Sequence, residues 1–150
     1  MSEGKVEKLE GIHIGFCGID GAGKTTQMGL LYRWFRERKI NTVRYEETRY
    51  FVSEVSFALG QQLGYPSGQE YLGEDYYSVA MGFEFLRKNM LNIKPYTQNG
   101  ITVISSRTVF DWLAGTLARG CSPKVYRLVE DVVLFAGEPT ITIWLDTTAE

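Results

Sequence analysis

The sequence predicts an α/β fold in which a parallel sheet is flanked by helices. Two observations carry this. Short apolar, β-branched runs alternate with segments of helical periodicity along the whole of the 150 residues, the pattern of strands joined by crossover helices. The first of these runs also passes through a glycine-rich turn directly into a helix. A chain of this length is expected to form a single domain, residues 1–150, that buries roughly 70% of the surface its unfolded form exposes.

The elements follow in order. Ile12-His13-Ile14-Gly15-Phe16-Cys17 is an apolar run that reads as a buried first strand. From Lys24 to Lys39, Met28, Leu31, Tyr32 and Phe35 recur at the spacing of a helix with one buried stripe. Thr42 to Tyr45 reads as a second strand ending at Glu46-Glu47, and Val52 to Leu63 as a helix closed by Gly64-Tyr65-Pro66-Ser67-Gly68. Leu72, Tyr76, Val79, Ala80, Phe83, Leu86 and Met90 define one face of a long helix over 69–91, which makes Tyr76 a core residue. After Pro95 and Asn99-Gly100, Ile101-Thr102-Val103-Ile104 predicts a strand buried on both faces. Helices are expected at Val109 to Ala118 and Lys124 to Phe135, separated by Gly120 and Pro123, and a fourth strand at Thr140 to Leu145.

Composition narrows the function classes. Hydrophobic residues at 44% and charged residues at 23% are globular values. A net charge of -2 offers no basic face to a nucleic acid, and the cations Arg33, Arg36, Arg38 and Lys39 are interleaved with Glu37 at one helix end. Two cysteines, Cys17 and Cys121, and a single histidine support neither a disulfide framework nor a local zinc site, so a reducing, cytoplasmic setting is expected. No run has the length of a membrane span.

Gly18-Ile19-Asp20-Gly21-Ala22-Gly23-Lys24-Thr25 fits G-x-x-x-x-G-K-[ST] at every fixed position, with a predicted strand before it and a predicted helix after it. This is a P-loop. Its glycines turn backbone N–H groups toward a phosphate, and the helix N-terminus adds partial positive charge at the same point. Gly18, Asp20, Gly21, Ala22, Gly23, Lys24, Thr25 and Thr26 are therefore the expected ATP-binding residues. Lys24 supplies a point charge between β- and γ-phosphates, and the Thr25 hydroxyl a ligand for Mg²⁺.

The wider run from Phe16 to Gln27, with Asp20 inside the loop and Thr26-Gln27 after Lys24-Thr25, resembles the signature of thymidylate kinases. The likeness extends over nearly the whole chain and weakens beyond the loop. It implies a nucleoside-monophosphate-kinase-like fold, ATP with Mg²⁺ as donor, and a nucleoside monophosphate, dTMP or a related nucleotide, as acceptor. By the same resemblance, Lys24 and Arg107 are catalytic, and Asp20, Arg44, Arg49, Tyr77 and Arg107 face the acceptor; Glu47 is expected on the acceptor side from its place at the carboxyl edge of the sheet. Arg44 corresponds to an arginine that holds the acceptor phosphate, with Arg49 as the fallback, and Tyr77 is the aromatic that stacks on the base. Similar kinases are often homodimers.

The chain also departs from that pattern. Ser105-Ser106-Arg107 stands where the family carries Asp before the arginine, and Ala80-Met81-Gly82-Phe83-Glu84 places Gly82 where similar kinases carry arginine. In such kinases the fourth strand leads to an arginine-bearing lid and a fifth strand, so a sequence ending at Glu150 is expected to be truncated at its C-terminus, or completed by a partner. Two further readings follow. The chain could resemble deoxynucleoside kinases and phosphorylate a nucleoside or other small-molecule hydroxyl, with Glu46 or Glu47 as base. Alternatively, it binds ATP without catalysis and regulates assembly with a partner.

Overall fold

The computed structural model describes residues 10–46 and 50–146. Four strands, β1 (His13–Cys17), β2 (Thr42–Tyr45), β3 (Thr102–Ser106) and β4 (Ile141–Trp144), form one sheet in the order β2-β3-β1-β4. Every pairing is parallel, with Ile14 opposite Ile104 and Ile141, and Arg44 opposite Ile104. Seven α-helices are described: α1 (Lys24–Glu37), α2 (Phe51–Gln62), α3 (Gly68–Leu72), α4 (Glu74–Lys88), α5 (Lys94–Gln98), α6 (Val109–Ala118) and α7 (Pro123–Phe135).

Alternation along the strands divides the interior in two, because successive side chains point to opposite faces of a sheet. Ile14, Phe16 and Ile104 pack with Met28, Leu31, Tyr32 and Phe35 of α1. On the opposite face lie His13, Gly15 and Cys17, close under the start of α6: a Cβ on Gly15 would stand 2.3 Å from Thr108 Cγ2. Beyond them Met81, Phe85, Val109, Trp112, Val129 and Val133 join α4, α6 and α7 into a second core. Tyr50 is fixed in that core by an edge-on contact with Trp112, centroids 4.9 Å apart, and by the indole N–H donating to its hydroxyl at 3.0 Å. β4 lies at the sheet edge, and Trp144 is 61% exposed.

The predicted α/β architecture stands, with one substantial correction. The long helix expected over 69–91 is two helices, broken at Gly73, whose φ of 79° and ψ of 148° end α3 and start α4 anew. The break turns the buried face by part of a helical turn: Ser78, Met81, Gly82, Glu84 and Phe85 face inward. Tyr76, expected in the core, is 66% exposed, and Phe83 is 53% exposed. A π-helical turn at Asn89–Ile93 then adds residues to the helical repeat before α5, so that Ile93 is buried and Leu91 is not. Pro95 lies inside the first turn of α5, and Pro123 opens α7, positions where its missing N–H is not required by the helix.

Glu84 has a structural task. Its carboxylate accepts from the N–H groups of Phe51 at 2.5 Å and Val52 at 2.7 Å, closing the N-terminus of α2, where Tyr50 offers no side-chain cap. Gly82 packs against α7, with Val129 Cγ1 3.4 Å from where its Cβ would be.

Candidate nucleotide site

The strand β1 delivers the chain into the loop through a left-handed glycine. Gly18 has φ of 139°, and a Cβ there would stand 2.6 Å from Leu145 O, so both conformation and space require glycine. Gly21 and Gly23 also have positive φ, at 88° and 84°. Gly23 is the N-cap of α1 and carries no side-chain cap, and the first turn of the helix has no acidic residue. Its leading N–H groups and dipole are thus left for an external anion. Gly21 and Gly23 meet no atom within 4 Å of an added Cβ, so the approach to the loop is open.

Lys24 folds back over this cradle. Its ammonium donates to Gly18 O at 2.7 Å and Ile19 O at 2.8 Å and lies 3.5 Å from Asp20 Oδ1. Arg107 enters from the other side with Nη2 3.8 Å from the same carboxylate oxygen. Its φ of 64° is left-handed, an arrangement worth about 1 to 2 kcal/mol of strain for a residue with a Cβ. The strained backbone turns the chain from β3 into α6 and brings a second cation to the loop. Asp20 is nearly fully exposed, so its pairing with both cations is exchangeable for a phosphate group.

The floor of the site is built by α6. Thr108 caps the helix, and Asp111 completes a capping box with it. Asp111 Oδ2 accepts from Thr108 N at 2.8 Å, while Oδ1 accepts from Gly18 N at 3.3 Å. Thr108 Oγ1 lies 2.8 Å from Cys17 Sγ, whose thiol is pushed up to about 11 by burial. Together these residues enclose a cleft of about 390 Å³ lined by Gly18, Asp20, Lys24, Arg107, Asp111 and Gly115. Asp111 lines this cleft from outside the P-loop pattern. The Thr108-x-x-Asp111 spacing ahead of an apolar helix is the signal that could have found it.

The family model described as Thymidylate kinase matches residues 16–150. The chain belongs to the thymidylate kinase family. A probable thymidylate kinase from Thermococcus gammatolerans is 30% identical over 143 residues, a match covering 91% of this chain and 65% of the relative. A thymidylate kinase from Akkermansia muciniphila is 30% identical over 135 residues, covering 87% of this chain and 60% of the relative. The chain thus spans just under two thirds of the length of these relatives. In fold, it is similar to the crystal structure of thymidylate kinase from Ehrlichia chaffeensis, with a TM-score of 0.69, 24% identity, and coverage of 92% of this chain and 73% of that one.

Within this thymidylate kinase family fold, the expected acceptor-side residues separate. Asp20 and Arg107 meet at the cleft. Arg44 does not line it: in register with Ile104, it shares the sheet face covered by α1. There it pairs with Glu46, and its Nη1 lies 3.3 Å from where a Gly29 Cβ would be. Tyr77 packs against the α4, α6 and α7 core, with the Arg119 guanidinium 5.8 Å from its ring centroid, and does not line the cleft either. Glu47 and Arg49 lie outside the described residues.

Thr25 and Thr26 are exposed on the first turn of α1. Among the described residues no group of three or more His, Cys, Asp or Glu could hold a metal ion. An ion at Thr25 would therefore take most of its shell from phosphate oxygens and water, the coordination Mg²⁺ prefers, so the site fits that ion. No described helix is long and apolar enough to cross a membrane.

Proposed function

We propose that this chain carries the donor site of a kinase that moves the γ-phosphoryl group of ATP, with Mg²⁺, to a nucleoside monophosphate, dTMP or a close relative. The observation that carries the reading is the convergence of Lys24 and Arg107 on one carboxylate, Asp20, at the rim of an uncapped helix N-terminus. Phosphoryl transfer to a phosphate needs alignment and fixed positive charge more than a general base. The loop N–H groups hold the β-phosphate, Lys24 leaves the Gly18 and Ile19 carbonyls for the phosphate oxygens, and Thr25 with Thr26 supplies hydroxyls at the same turn. Mg²⁺, when bound beside Thr25, neutralises phosphate charge. Arg107 is free of the sheet face and meets the incoming acceptor phosphate, while Asp20 turns from the two cations to the acceptor's sugar. Membership of the family supports this reading, along with a cytoplasmic setting and a homodimeric assembly.

Ser106 in place of the family's carboxylate favours a second reading, regulatory ATP binding without turnover; a third is transfer to a nucleoside hydroxyl with Glu46 or Glu47 as base. Incubation of the full-length protein with ATP, Mg²⁺ and a panel of nucleosides and nucleoside monophosphates, following ADP, separates them. Turnover on dTMP is expected. Turnover confined to unphosphorylated acceptors overturns the first reading, and ATP binding with no turnover on any acceptor leaves the regulatory one. Lys24→Ala should abolish turnover in either enzymatic case.

A further inference from the structure

We infer that Asp111 is a positioning residue for the nucleotide site, setting the places of both Lys24 and Arg107 from the first turn of α6. A helix cap needs only one of its oxygens: Oδ2 accepts from Thr108 N at 2.8 Å and from the Thr108 hydroxyl at 3.2 Å, which completes the capping box. The other oxygen reaches across to a residue 93 positions away, accepting from Gly18 N at 3.3 Å. Gly18 binds in both directions, since its carbonyl takes the Lys24 ammonium at 2.7 Å. Holding the Gly18 amide therefore holds the peptide on which Lys24 rests.

The capping oxygen acts on Arg107. The Thr108 N–H belongs to the peptide that follows Arg107, and the N–H that precedes it donates to Phe16 O at 3.2 Å. The left-handed turn at Arg107 is thus pinned on both sides, by β1 before it and by Asp111 after it. With the backbone fixed, the guanidinium is delivered to within 3.8 Å of Asp20. One carboxylate, outside the P-loop, links the α6 cap to both cations.

Asp111→Glu separates the two tasks. Glutamate at this position of a capping box still reaches the N-cap amide, but its longer side chain moves the second oxygen away from Gly18. Three quantities are measured on the full-length protein for the parent, Asp111→Glu and Asp111→Ala: thermal midpoint, amide hydrogen exchange at Gly18 and Thr108, and ADP affinity by calorimetry. The Glu variant should keep the parent's midpoint and Thr108 protection, exchange Gly18 about tenfold faster, and bind ADP about tenfold more weakly, the effect of one hydrogen bond. The Ala variant should lose the midpoint and the Thr108 protection as well. Parent-like Gly18 exchange in the Glu variant overturns the positioning role. The affinity comparison rests on the proposed nucleotide site. A parent protein that binds no ADP would count against that site, while the exchange data would still decide the role of Asp111.

Discussion

His13 Nε2 and Ser105 Oγ lie 2.8 Å apart across β1 and β3, a polar pair buried beneath the helices that roof the sheet. Burial without a compensating carboxylate lowers the His13 pKa from 6.5 to about 4. The folded protein holds this ring neutral in a range where the unfolded chain protonates it. Stability is then complete above pH 6.5 and falls as the pH drops from 6.5 to about 4, by about 3 kcal/mol. Urea titrations at intervals across that range should trace the loss. In His13→Gln, the slope between pH 6.5 and 5 should flatten; an unchanged slope would assign it to other groups.

The carboxylate of Glu84 serves two N–H groups that nothing else in α2 caps. Glu84→Ala leaves both without an acceptor at a part-buried helix start and is expected to cost about 2 kcal/mol. Glu84→Gln keeps one acceptor oxygen and should cost about half as much. Denaturant midpoints with unchanged m-values would measure both losses; equal losses would show that geometry, not acceptor number, governs the cap.

Gly15 tests the closeness of β1 to the α6 start. An added Cβ would lie 2.3 Å from Thr108 Cγ2 and 2.8 Å from Pro139 Cγ, and neither neighbour is the loose end of a long side chain. Gly15→Ala should cost about 2 kcal/mol through overpacking, read as a drop of about 4 to 8 °C in thermal midpoint. Because the clash falls on the cap residue of α6, ADP affinity should fall together with stability.

The loop and its flanking elements were legible in the sequence because their determinants are local: glycines where φ is positive, a helix period after Lys24, and β-branched runs before and between. The helix over 109–118 was read with its observed bounds for the same reason. Periodicity misled at Gly73, where seven apolar residues in helical spacing outweighed one glycine that ends the helix and restarts it with a turned face. The place of Arg44 depends on strand parity. Its side follows from pairing with Ile104, a contact across 60 positions that no local pattern reveals. Asp111 was missed on the same grounds, since its cap to Thr108 is local but its bond to Gly18 exists only once β1 and β3 are paired. The non-local half of the site became visible only with the fold.

Arg107→Gly should separate strain from function. The arginine sits at φ of 64°, a conformation glycine adopts freely, and among the described residues its ion pair is a surface contact of 3.8 Å with Asp20. Relief of about 1 to 2 kcal/mol of backbone strain is offset by about 0.5 to 1 kcal/mol from the greater freedom of glycine in the unfolded chain. The loss of an exposed pair adds little. The variant is therefore expected to be as stable as the parent or more so by about 1 kcal/mol, a thermal midpoint higher by up to about 4 °C. If Arg107 meets the acceptor phosphate as proposed, turnover should fall by about a hundredfold or more, as losing a charge aimed at the transferring group does. ADP affinity, which rests on the loop and Lys24, should change far less. A variant that is destabilised would place Arg107 in the scaffold, and one that is stable and fully active would remove it from the site.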